Sequence, residues 1–496
     1  MSAGSRRRRL AVVPVAVLLA LLVTACGSRV DPATVAALEG SGGSEVGAVD
    51  GSVPGDGAVD PVTGEAPSGD LPGAAPGGEV PAAPGGPTGS GSGGSGGGGG
   101  TPGGGSGDGA PGGGARAASC DGFTNGRGIT DSTITIGNAS DVSGPVPGIF
   151  ESAQVATRAY VAFFNATSDI CGRKLALKTY DVRTDAGGDQ QAYTDACNSV
   201  FAMVGSMSAF DSGGAQAAQG CGLPDVRSAM VTLARQACRT CFGAQSTMAG
   251  EVNNAVPDYV LKEFPEAGRN GAMLFINAGA AAENGRLQAE ALRKRGMRMT
   301  YVQGIDVSEF NYAPFVQRMK DLGVRYVQMI GQPPQFVRLA QAMQQQGFKP
   351  DVLMFDPSAY ESEFVQRGGS AVEGATVFTN FTPFEEAARN EEMARYLAWL
   401  RQTKPGAEPD FFGVFAWSAA RLFVERATAL GGRLSRQTLV AELNRVDQWT
   451  ANGLHSPQRP GPRRTGECFR FLQLRGGTWV PIGGNRYRCN GTTNAG

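Results

Sequence analysis

Residues 326–356 read YVQMIGQPPQFVRLAQAMQQQGFKPDVLMFD. Tyr326 to Ile330 and Val352 to Phe355 are apolar runs of the length of a buried strand. Between them Phe336, Leu339, Ala340 and Met343 recur at the spacing of one helical face. Strand, helix and strand in that order make a right-handed βαβ unit with two parallel strands. The alternation continues on both sides. Thr133 to Ile136, Leu175 to Tyr180, Ala229 to Leu233 and Ala272 to Ile276 are further strand candidates. Tyr396, Leu397 and Leu400 share a later helical face. The expected class is α/β, built from doubly wound parallel sheets. Ligands of such sheets bind beyond the carboxyl ends of the strands, so the informative residues lie in the loops after them.

The N-terminus has a different character. Arg6 to Arg9 are followed by an apolar stretch from Leu10 to Leu22, then Val23-Thr24-Ala25-Cys26. A positive segment, a short apolar core and small residues make an export signal, expected over residues 1–25. The apolar stretch is short against the about 20 residues of a membrane span. Residues 26–117 are expected to form a tether. From Gly40 to Gly114 they are mostly Gly, Pro, Ser and Ala without an aromatic. Such chain cannot bury enough apolar surface to offset its ordering entropy. Residues 118–496 remain for a folded domain, longer than one hydrophobic core usually supports, so two lobes are expected.

Lys and Arg number 44 against 45 Asp and Glu, for a net charge of −1. No basic block follows the signal, which argues against a nucleic-acid surface. With one histidine, His455, expected in a loop near a lobe crossing, no Ser-His-acid triad can be assembled, and no G-x-S-x-G elbow occurs. Glu385-Glu386 and Glu391-Glu392 are sequence neighbours that do not face each other on a helix, so they read as solvated surface. No enzyme, metal or cofactor is expected. Beyond Cys26 there are eight cysteines, an even set that in an exported chain favours disulfides. Cys238 and Cys241 have redox-motif spacing, but they lack the thioredoxin-like context and read as a structural pair. The stretch from Cys468 to Leu474, then Arg475-Gly476-Gly477, then Thr478 to Val480 predicts a β-hairpin.

Ser143-Gly144-Pro145-Val146 and the helix ending at Asn165 resemble the start of the branched-chain amino-acid binding proteins, of the type I periplasmic-binding fold. The likeness continues in order through Val204-Gly205-Ser206, Asn311 to Phe315, Tyr326 to Asp356, Gly374 to Val377 and Phe411 to Leu430. Val23 to Cys26 resembles the bacterial lipobox, with Cys26 as the lipidated residue. The resemblance implies two lobes joined by a three-crossing hinge. Lobe 1 would hold about 118–250 and 379–451, and lobe 2 about 251–378 and 452–496. It further implies a monomeric, lipid-anchored protein on the extracytoplasmic face of the cell membrane. That protein would capture a small polar organic ligand, an amino acid or a relative, for an ABC permease and its ATPase subunits. A ligand sensor of the same fold is the alternative. No P-loop occurs, so the ATPase would be a separate chain.

The family's ammonium-binding acid falls at Asp356, which otherwise reads as a loop residue. Its carboxylate-binding serine falls beside Ala209, near Ser208 and Ser212. Its second carboxylate loop falls near Arg235 and Gln236, where Arg235 reads as a carboxylate partner or as a solvated arginine. The aromatic cover falls at Ile149, beside Phe150, and a second-lobe tyrosine is replaced at Pro333, beside Gln332. With Ser143 and Asn277, which also follow strands, these make the expected ligand set. In this fold the first two strands are neighbours, so Cys120 is expected to pair with Cys171. Cys468 with Cys489, Cys197 with Cys221 and Cys238 with Cys241 complete the expectation.

Overall fold

The computed structural model describes residues 119–496. The signal, Cys26 and the tether up to residue 117 lie outside the described residues. Five parallel strands form the first sheet: β1 (Thr133–Ser140), β2 (Lys174–Asp181), β3 (Ala202–Val204), β4 (Asp225–Ala229) and β5 (Cys241–Gln245), in the order β2-β1-β3-β4-β5. After the short β6 (Glu251–Asn253), a second parallel set follows: β7 (Gly271–Ile276), β8 (Met299–Ile305), β9 (Tyr326–Ile330), β10 (Val352–Phe355) and β11 (Thr376–Thr379). Its order, β8-β7-β9-β10-β11, repeats that of the first sheet. Each sheet therefore reverses direction between its first and third strands. That reversal is where a doubly wound sheet leaves a crevice.

Buried parallel strands read as continuous apolar runs, and all six residues of β7 are buried. β12 (Cys468–Arg475) and β13 (Thr478–Ile482) form the C-terminal hairpin. They extend the second sheet antiparallel to β11, with Phe378 opposite Phe471.

The helices of eight or more residues are α1 (Glu151–Thr167), α2 (Ala186–Ser199), α3 (Ala255–Glu263), α4 (Gly279–Lys294), α5 (Ala313–Asp321), α6 (Pro333–Gln345), α7 (Glu391–Thr403), α8 (Phe411–Leu430) and α9 (Arg436–Leu443). α8 is apolar on almost every side because it is enclosed by α1, β4 and β5. Trp417 is fully buried in it, 4.8 Å from the Tyr160 ring. The indole Nε1 donates to Glu392 Oε1 at 2.8 Å. Glu392 is thus not the solvated residue expected, because Trp417, Arg395 and Arg421 satisfy it inside the fold. Glu385 and Glu391 are exposed, as expected, and Glu386 is half-buried. Glu385 and Glu386 receive hydrogen bonds from Tyr360 and Arg470.

Three segments, 246–250, 380–390 and 450–467, pass between the sheets and bond to one another. Ser246 N donates to Gln458 Oε1 at 3.0 Å, Gly466 N to Ser246 O at 2.9 Å, and Ser456 N to Asn380 O at 2.7 Å. His455 sits in this bundle, 2% exposed and stacked on Phe415 at 5.0 Å. It is a core residue, not an open loop residue. Its Nδ1 lies 2.9 Å from Ser456 O, a pure acceptor, so the proton sits on Nδ1. Nε2 then accepts from Ser418 Oγ at 2.8 Å, and Ser418 Oγ accepts from Trp449 Nε1 at 2.9 Å. Burial lowers the imidazole pKa from 6.5 to about 4.

All four expected disulfides are present: Cys120–Cys171, Cys197–Cys221, Cys238–Cys241 and Cys468–Cys489. The last joins directly opposed residues of β12 and a short strand at Arg488–Cys489. The first closes a sequence separation of 51 residues, and loops of that length gain several kcal/mol, roughly 4, from restriction of the unfolded chain.

One strand departs from expectation. Ala229 to Leu233 is not a strand; β4 covers Asp225–Ala229, and Leu233–Gln236 is a single helical turn. Asp225 and Arg227 are fully buried within β4. Two charges inside a five-residue strand erase the apolar signal that sequence reading relies on.

Candidate functional site

The two sheets point their carboxyl ends toward a common cavity of about 260 Å³. That is close to the lower end of small-molecule sites, roughly 300 Å³. Both reversal points contribute. From the first sheet come Ile149 and Phe150 after β1, and Met207, Ala209 and Phe210 after β3. From the second come Ala278 and Ala280 after β7, and Gly331 and Gln332 after β9. Phe411 and Phe412, at the start of α8, close one side. Phe412 packs edge-on against Phe150 at 4.6 Å.

The lobes touch across this cavity. Ala280 N donates to Ala209 O at 3.0 Å, and Asn284 Nδ2 donates to Val231 O at 3.2 Å. Gly279 permits the approach. Its φ is +49°, and a Cβ there would lie 2.7 Å from Ala209 O. A side chain at this position would meet both backbone strain and a steric block.

Of the expected ligand residues, the structure brings Phe150, Gln332 and Asp356 to the cavity wall. Asp356 has no cation partner among the described residues; it accepts from Gly331 N at 3.1 Å and from Ser358 N at 2.8 Å. Burial pushes its carboxyl up to about 6, against the lowering effect of those bonds. Ser358 Oγ also donates to it. The carboxylate thereby ties the loop after β9 to the loop after β10.

The other expected residues do not line the cavity. Arg235 is the clearest correction. Its side chain is fully buried, with Nη2 2.7 Å from Asp189 Oδ2 and Nη1 3.0 Å from Asp225 Oδ2. Its Nε donates to Asp211 O at 2.7 Å. The guanidinium belongs to the interior behind the cleft because two carboxylates already neutralise it. Gln236 is buried too, donating to Met230 O and Thr247 O and accepting from Ala249 N. Ser208 donates to Asp141 at 3.2 Å. Burial raises the Asp141 carboxyl to about 6. Ser143 donates to Asp181 at the surface, and Asn277 accepts from Arg286. Ser212 lies in the loop after β3, off the wall.

Sequence reasoning missed the apolar character of the wall. Met207, Phe210, Val231, Ile276 and Ile330 follow or end strands, at points where the sequence reading expects polar contacts. The Phe411-Phe412 pair heading an apolar helix was the available signal. Among the described residues no group of His, Cys, Asp and Glu is arranged to hold a metal, and no helix is long and apolar enough to cross a membrane.

A family model described as periplasmic binding protein matches residues 133–478. The Leu/Ile/Val-binding protein homolog 2 of Brucella abortus (strain 2308) is 26% identical over 140 residues, which is 28% of this chain and 36% of that relative. The matched stretch is therefore little over a third of the curated relative's length. A fatty acid ABC transporter substrate-binding protein from Thermomonospora curvata superposes with a TM-score of 0.62 at 18% identity, covering 75% of this chain and 96% of its own. The branched-chain amino acid transporter substrate binding protein from Streptococcus pneumoniae, in complex with isoleucine, gives 0.60 at 14% identity, covering 72% and 99%. A solute binding protein from R. palustris in complex with benzoate also gives 0.60 at 14%, covering 73% and 98%. These structures share the type I periplasmic-binding fold. The chain belongs to the periplasmic binding protein family, a family of solute-binding proteins.

Proposed function

We propose that the chain is a lipid-anchored, extracytoplasmic solute-binding protein that captures a small organic ligand between its lobes and presents it to an ABC permease powered by separate ATPase subunits. The observation that carries this reading is the placement of a cavity at the reversal points of both sheets, spanned by the Ala280–Ala209 and Asn284–Val231 hydrogen bonds. A ligand there would add contacts to both lobes and favour the closed arrangement, which is how hinge closure reports occupancy.

The ligand's chemistry shifts from the sequence expectation. A polar amino acid needs partners for two charges, and Arg235, the expected carboxylate partner, is committed to Asp189 and Asp225. The wall supports an apolar body instead. The relatives' own ligands, by their descriptions, run from isoleucine to benzoate and fatty acids. Native mass spectrometry of the purified protein tests the reading. We expect a bound small molecule that is released on unfolding. A protein that carries none, and whose scattering profile changes with no solute from a broad apolar and amino-acid panel, would argue against capture. A sensing role with the same cavity predicts no permease or ATPase genes beside this one.

A further inference from the structure

Four residues of α4, Ala281, Asn284, Gln288 and Leu292, follow one another at three- and four-residue steps, and all four line the cavity. From 281 to 292 a helix rises about 16 Å, at ~1.5 Å per residue. The cavity therefore does not end at the mouth between the lobes. It continues as a slot beneath α4 into the second lobe. Gln328 and Ile330, alternate residues of β9, form its floor, with Phe378 of β11 and Val256 of α3. Gln328 is 2% exposed, and its amide donates to Gln288 Oε1 at 3.0 Å.

The slot's electrostatics are one-sided. Among the described residues no Lys, Arg or His lines it, and the ionisable lining residues are Asp356 and Glu251. Glu251 is already held by Arg464, Thr465 and Thr492. In the first lobe, the donors of the kind that cradle a ligand carboxylate serve the protein's own acids. Ser208 Oγ and Ala209 N donate to Asp141, while Val231 N and Thr232 N and Oγ1 donate to Asp211. A carboxylate entering this cavity would give up its hydration and face the Asp356 carboxyl without a cation to compensate it among the described lining residues. At the mouth, Thr184 Oγ1 is buried and has no hydrogen-bond partner among the described residues. That hydroxyl suits a neutral polar group.

We propose that the slot takes an elongated, uncharged amphiphile, its apolar tail lying under α4 inside the second lobe and its polar end remaining at the mouth. The inference rests on capture between the lobes and adds the ligand class.

Calorimetry with the full-length protein and three probes, hexanol, decanol and decanoate at pH 8, tests it. Decanol should bind more than tenfold tighter than hexanol, since each methylene buried in the slot adds affinity. Decanoate should bind at least tenfold more weakly than decanol. Gln288→Trp, which fills the slot, should remove most of the advantage of decanol over hexanol. Val256→Phe, from the facing wall, should do the same should the first variant fold poorly. Equal affinity for hexanol and decanol would overturn the slot, and decanoate binding as tightly as decanol would overturn the uncharged end. In either case capture itself stands. Binding of none of the three would also overturn the slot, with mass spectrometry separating the cases: another bound solute leaves capture intact, and no solute at all removes that reading too.

Discussion

Arg235 reaches Asp189 at 2.7 Å from one guanidinium nitrogen and Asp225 at 3.0 Å from the other, with all three side chains fully buried. The contact joins residues from α2, β4 and the turn after it into one charged cluster beneath the cleft wall. Asp189 also accepts from Gly214 N at 2.7 Å, so the cluster fastens the loop that carries Ala209 and Phe210. Replacing Arg235→Met would strand Asp189 without its cation and leave Asp225 with only the longer contact to Arg227, at 3.4 Å, as a cation partner. Loss of one partner of a buried pair typically costs about 3–5 kcal/mol. Urea denaturation should show a fall of that order, and an unchanged midpoint would mean that the pair is solvated.

Gly279→Ala places a Cβ against Ala209 O from a backbone at φ +49°. The strain alone costs roughly 1–2 kcal/mol. Ligand affinity should fall at least tenfold while both lobes remain folded by circular dichroism. Small-angle scattering of the liganded variant should show a more open molecule. Normal affinity and normal compaction would exclude this contact from the closed state.

His455 is the sole histidine, so its ring gives one set of NMR signals. Its folded pKa of about 4 lies below the 6.5 of an unperturbed imidazole. Above pH 6.5 the ring is neutral in both states and its contribution to stability is complete. Between 6.5 and 4 the unfolded chain takes up a proton that the folded chain refuses, so stability is lost as pH falls. The whole window is worth about 3 kcal/mol. Asp141 and Asp356, with raised carboxyl pKa values, act in the opposite direction as pH falls, so the ring signal is the cleaner measurement. A midpoint near 6.5 in the native protein would show an exposed ring.

Cys26→Ala tests the proposed anchor. The variant should appear in the medium or remain unprocessed, with the mature mass changed accordingly. Unchanged membrane retention and unchanged mass would remove lipidation at this residue.

The order of the elements was legible in the sequence because it depends on local periodicity. The run from Tyr326 through the 336–343 stripe to Val352 makes a βαβ unit whatever surrounds it, and Tyr326–Ile330 and Val352–Phe355 are strands at those bounds. Cys120–Cys171 followed from the strand adjacency that the family resemblance implies and Cys468–Cys489 from the hairpin, with Cys197–Cys221 and Cys238–Cys241 completing the set. Phe150, Gln332 and Asp356 could be assigned to the cavity because each follows a strand at a predictable point. Other features required the tertiary structure. Asp225 and Arg227 hid β4, because a buried charged residue reads as a loop until its tertiary partners, Arg235 for Asp225 and Tyr193 and Asp211 for Arg227, are known. Arg235 follows a strand as the cleft residues do, yet turns inward because Asp189, 46 residues earlier, lies within reach. The slot under α4 is also invisible in one dimension. Ala281, Asn284, Gln288 and Leu292 have the spacing of any core-facing helix, and only the cavity space they border distinguishes a binding wall from a packed core.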